Sequence, residues 1–151
     1  MPEITRVLLA FAATLITFVV LDVAWLMLVA IGQFQSQLGA ILHPQPNLFA
    51  AVALYVIFAC GLIVLAVQPA LKARSLSVAI ANGAVLGLTA YATFDLTNLA
   101  ILKGWTVGLA LLDMTWGTVL SATAASAGYA AGSRATRAMA DDIPSGNQPF
   151  L

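Results

Sequence analysis

The chain has 151 residues, 62% of them hydrophobic and 8% charged, and its six basic and six acidic side chains balance to a formal charge of zero. A mean hydropathy of +0.99 excludes an ordinary water-soluble globule and marks a polytopic membrane protein. The zero balance and the lack of a basic run argue against a nucleic-acid partner, and the single cysteine, Cys60 in an apolar run, excludes an intramolecular disulfide.

The first apolar run, 7–31, is long enough to cross a hydrocarbon core of about 30 Å with some tilt. Its length, the presence of Asp22 and the want of a small-x-small cleavage site make it a retained helix rather than a signal peptide. In the more polar connection from Gly32 to Asn47, residues Phe34, Leu38, Ile41 and Leu42 recur at helical spacing, the pattern of a short amphipathic helix in the interface. Pro44 and Pro46 end it, and Pro46 or Asn47 opens the second span, 48–67, which is expected to stop at Gln68-Pro69.

A short connection carrying Lys72 and Arg74 leads into the third span, 76–102. Within it Gly83-Ala-Val-Leu-Gly87 forms a small-x-x-x-small face on which another helix can approach closely. The turn Lys103-Gly-Trp105 folds the fourth span, 106–131, back as an antiparallel hairpin. Gly117, Ser121, Ala125, Gly128 and Gly132 form its small-residue stripe and predict a well-packed position. The expected fold is all-α: a four-helix transmembrane domain over 1–132 with a short interfacial helix between spans 1 and 2, then a polar, disordered tail over 133–151. Arg6, Lys72, Arg74, Arg134 and Arg137 share the side of the termini and Lys103 stands alone on the other, so the positive-inside rule puts both termini in the cytoplasm.

Three aspartates interrupt the apolar runs, and an acid at bilayer depth costs a few kcal/mol unless it faces the bundle interior. At about 1.5 Å of rise per residue, Asp22 lies about 14 Å, and Asp95 and Asp113 about 10 Å, from the outer ends of their spans. Tyr55, on one face of span 2 with Asn47 and Ala51, reaches the same level at about 12 Å. Trp25 and Trp116 follow their acids at i+3, while Tyr91 and Asn98 flank Asp95 at i−4 and i+3. Three carboxylates in one layer, with only Lys103 and His43 as nearby countercharges, cannot all be bare anions. Either an acid is protonated, or a cation or polar ligand sits among them.

The series Leu21-Asp-Val-Ala-Trp25, Tyr91-Ala-Thr-Phe-Asp-Leu-Thr-Asn98, Lys103-Gly-Trp105 and Asp113-Met-Thr-Trp-Gly117 resembles the bacterial membrane family called domain of unknown function 2177. The resemblance extends over about 7–129. It implies a four-span protein of the bacterial inner membrane and assigns no activity, catalytic residue or cofactor.

From the residues themselves the leading expectation is an outward-facing pocket lined by Asp22, Trp25, Tyr55, Tyr91, Asp95, Asn98, Asp113 and Trp116. It would take a cation, a small molecule or the polar part of a lipid; a metal, if bound, would sit on Asp22, Asp95 and Asp113. With no histidine or cysteine cluster in the layer, an oxygen-rich Mg²⁺ or Ca²⁺ site fits better than a zinc site. Three alternatives stay open: a lipid-modifying enzyme or its subunit with one Asp as acid and another as base, a proton-coupled transporter component, and a structural subunit in which the acids are interhelical glue. A homodimer through the glycine faces is a further expectation. His43, beside Pro44, reads as a solvated loop residue.

Overall fold

The computed structural model describes residues 2–39 and 45–141. His43, Pro44, Ile41 and Leu42 lie outside the described residues, as do the side chains of Phe34 and Leu38 and the tail beyond 141. Among the described residues every regular element is helical, and four stretches are long and apolar enough to cross a membrane: Glu3–Gln33, Leu48–Ala73, Leu76–Ile101 and Val107–Thr136.

Helix α1, Pro2–Trp25, passes through a π-helical turn, Leu26–Ala30, into α2, Ile31–Leu38. No break separates α2 from the first span, where the sequence pattern suggests a separate interfacial helix. The second span begins at α3, Leu48–Leu62, whose N-cap is Asn47; its side chain accepts from the Ala50 amide at 3.2 Å. That bond commits Asn47 to the helix start rather than to the polar layer.

The second span does not stop at Gln68-Pro69. It continues through a π-helical turn, Ile63–Val67, into α4, Gln68–Ala73. Proline has no N–H to give the carbonyl four residues back and normally breaks a helix there. Here that carbonyl belongs to Leu65, and Asn82 Nδ2 from the next span donates to it at 3.1 Å. The wider π turn just before the ring relieves crowding against the preceding backbone. The chain then reverses at Arg74, which adopts a left-handed conformation with φ 51°, and the Ser75 amide donates to the Ala70 carbonyl at 3.1 Å.

Helix α5, Leu76–Ile101, and α6, Val107–Asp141, form the hairpin that the Lys103-Gly104 turn demands; Gly104 sits at φ 95° and the Thr106 hydroxyl caps α6 by accepting from the Leu109 amide at 3.2 Å. The two pack along most of their length because glycine removes side chains from the seam. A Cβ on Gly87 would run into the Gly117 carbonyl, and one on Gly83 would lie 2.8 Å from the Ser121 carbonyl. The opposite face of α6 takes α1 in the same way, with Gly128 against the Thr14 hydroxyl, while Gly132 meets Leu71. The glycine faces expected to serve a dimer are therefore filled from within the chain. Helix α6 also runs past 131 to Asp141, so the first part of the expected tail is helical.

Small residues dominate the core: Ala10, Ala66, Ala70, Ala79, Ala124 and Ala125 interleave with Phe18, Leu62, Val67 and Leu120. In lipid this close packing, rather than expulsion of apolar surface from water, holds helices together. Large side chains such as Leu8, Ile16, Ile57, Val85 and Val119 point outward. Helix hydroxyls are mostly consumed locally: Thr89, Thr93, Thr115, Thr118 and Thr123 each donate to the carbonyl four residues earlier. Through its lower π turn the second span packs on α5 and α6, but nearer the Lys103 end α3 leans on α1 and draws away from α5. That divergence creates the space described next.

Candidate functional site

Asp22 is buried, with 8% of its surface exposed, because α1 turns it toward α3 and α6. The Tyr55 hydroxyl donates to its Oδ2 at 2.9 Å, and Trp116 Nε1 donates to its Oδ1 at 3.4 Å. One carboxylate thus ties three spans. The Trp116 ring stacks on Trp25 with centroids 4.6 Å apart and planes 8° from parallel. The π turn starts at the residue after Trp25, and such turns are frequent where a helix must present side chains at a functional site.

Tyr91 occupies the middle. Its ring lies where a side chain on Gly117 would be and meets Phe58 edge-on at 6.4 Å. Its phenol is within electrostatic reach of Asp22, Asp113, Tyr55 and Asp95. Asp113 on α6 is half-buried, has Asp95 and Asp22 as neighbouring acids, and lies close to the Trp25 indole. Asp95 is fully buried, and neither of its oxygens has a hydrogen-bond partner at good geometry. The Trp105 indole comes near enough to act on it but falls outside that geometry. Trp105 itself is buried at the turn, edge-on to Phe94 at 5.4 Å.

Between α3 and α5 lies a cleft of about 450 Å³. Its walls are apolar: Phe18 and Leu26 from the first span, Leu54 and Phe58 from α3, Ala90 and Phe94 from α5. Its polar groups are Asp22, Tyr55, Tyr91 and Asp113, with Trp25 beside them. Among the described residues no lysine or arginine lines it.

Five of the eight expected residues therefore share one cleft. Trp116 touches it through Asp22, Asp95 is sealed behind it, and Asn98 does not line it. Among the described residues no three acids, histidines or cysteines come close enough together to hold a metal ion, so the convergence of Asp22, Asp95 and Asp113 falls short of an ion-binding cage. The phenylalanine wall is what sequence reasoning missed. Phe18 precedes Asp22 by one helical turn and Phe58 follows Tyr55 by three residues, a same-face signal that would have found both.

No curated protein and no solved structure matches this chain. Residues 7–130 match a family model described as "Predicted membrane protein (DUF2177)", which covers most of the first and fourth spans, all of the second and third, and every residue of the cleft. The chain belongs to that family of membrane proteins.

Proposed function

We propose that the protein binds an amphiphile from the bilayer, holding its polar part on the Asp22 and Asp113 carboxylates and its chain in the gap between α3 and α5. One observation carries this reading: two carboxylates and two phenols stand in a cleft with otherwise largely apolar walls, where α3 draws away from α5. Acid side chains accept hydrogen bonds when ionised and give one when protonated. With no cation among the described residues of the lining, the partner group is an amine or hydroxyl rather than a phosphate. The aromatic walls add favourable faces for an ammonium. We further propose that the cleft opens toward the outer leaflet of a bacterial inner membrane with both termini cytoplasmic, a reading supported by the cations Arg6, Lys72, Arg74 and Arg134 at the terminal end against Lys103 at the other.

The test uses the tryptophans at the cleft. A brominated long-chain alkylamine titrated into the protein in neutral detergent should quench its fluorescence saturably, and a brominated alkyl sulfate of equal length should not. Asp22→Asn and Asp113→Asn should each weaken the amine response by about tenfold, the loss of one charge-assisted contact. Equal quenching by both amphiphiles, or an amine response indifferent to both substitutions, rejects the reading.

A further inference from the structure

At the opposite end of the bundle a second cavity, of about 470 Å³, has the reverse electrostatic character. Arg6 from α1 and Lys72 and Arg74 from the end of the second span converge on it, Tyr129 and Ser133 bring hydroxyls from one face of α6, and Thr136 completes that face with its own hydroxyl donating to the Gly132 carbonyl at 3.0 Å. No acid lines it. Glu3 holds one terminal nitrogen of Arg6 at 3.4 Å, yet the Arg6 Nε is buried without a hydrogen-bond partner. Arg74 is the sole non-glycine residue at positive φ among the described residues, at a helix C-terminus where glycine or asparagine is usual.

We infer that this cavity is a binding site for a phosphate-bearing anion at the membrane surface. Three positive side chains, of which only Arg6 has a carboxylate beside it, together with the Tyr129 and Ser133 hydroxyls, form the donor set that phosphate oxygens require. Cations that only set topology need to lie on the right side of the membrane; they do not need to converge from separate chain segments on one cavity or to bury a guanidinium nitrogen there. An arginine at this left-handed position brings a third positive side chain to the cavity, which glycine or asparagine would not. Basic pockets at this depth take lipid headgroups, and the same chemistry would hold a free phosphate. The site shares no residue with the acidic cleft and stands independently of the reading given there.

Full-length protein reconstituted in nanodiscs of equal parts phosphatidylcholine and phosphatidylglycerol, released into native mass spectrometry, should retain phosphatidylglycerol preferentially. Arg6→Gln and Lys72→Gln should each lower that retention by about fivefold, the effect of one surface cation on an anionic lipid, while Lys103→Gln at the other end should not. Arg74→Gly should lower retention while leaving thermal stability equal or higher, which a purely structural role would not do. In a second arm, inorganic phosphate is followed by phosphorus NMR against the protein in neutral detergent. Line broadening lost in Lys72→Gln identifies phosphate itself as sufficient, and retention without broadening identifies the lipid headgroup. Absence of both, or an equal loss in Lys103→Gln, overturns the inference.

Discussion

Tyr55 and Asp22, on different spans, meet through a 2.9 Å hydrogen bond in which the phenol donates to the carboxylate. Tyr55→Phe keeps the ring, which packs edge-on to Phe18 at 6.0 Å, and removes only the donor. The expected loss is about 1 kcal/mol of bundle stability, the usual scale for one interhelical hydrogen bond. In a double-mutant cycle with Asp22→Leu, measured by denaturant titration in detergent, the two changes should be coupled by a similar amount. Additive effects would mean that the bond contributes nothing.

The stack of Trp25 on Trp116 should be visible in solution. Two indoles 4.6 Å apart and nearly parallel couple their transitions, so the wild-type near-ultraviolet circular dichroism should carry a paired positive and negative band. Trp25→Phe and Trp116→Phe should each abolish it, while Trp105→Phe, at the turn and outside the pair, should leave it. Persistence of the band in Trp25→Phe would exclude the stacked arrangement.

The four spans were legible because length and hydropathy fix them almost alone, and the polar layer was legible because acids in a membrane must turn inward. Helix ends were less so. Pro69 reads as a stop, and only the tertiary contact from Asn82, thirteen residues on in another helix, tells otherwise. Arg134 and its neighbours read as a tail, yet α6 carries them on as helix to Asp141. Within the layer, depth along each axis placed the acids at one level but could not say which faced the gap. That depends on how far α3 leans from α5, a packing outcome that no single span encodes. Asp95 is thus sealed away while Asp113, at the same estimated depth, lines the cleft.

Glycine positions separate by what surrounds them. A methyl group on Gly117 would enter the Tyr91 ring, whereas nothing lies within 4 Å of a Cβ on Gly108. Gly117→Ala should therefore destabilise by about 2 kcal/mol or more through overpacking and displace Tyr91 from the acids. Gly108→Ala should stabilise by up to about 1 kcal/mol through helix propensity. Thermal unfolding of the two variants in the same detergent decides the matter, and similar behaviour would mean that Tyr91 does not sit on Gly117.

Asn82 and Pro69 should be conditional on each other. In the natural sequence Asn82→Ala strips the Leu65 carbonyl of its side-chain donor and should cost about 1 kcal/mol or more. In a Pro69→Ala background the alanine amide can serve that carbonyl, and the same Asn82→Ala change should become nearly silent. An equal penalty in both backgrounds would assign Asn82 a role other than replacing the missing bond.

Asp95 offers the sharpest division between a working acid and a buried cost. It is fully inaccessible, its oxygens lack partners at good geometry, and it does not line the cleft. Leucine has nearly the same shape with the polar atoms replaced by carbon, and removing a buried unsatisfied polar group in this way is neutral or favourable. Asp95→Leu should hold or raise stability by about 1 kcal/mol or more and leave alkylamine quenching unchanged, while Asp22→Leu, which strands both Tyr55 and Trp116, should lose both. If Asp95→Leu instead abolished amine binding with the bundle intact, the polar layer would have to act as one connected unit, with Asp95 passing charge or a proton to Asp113.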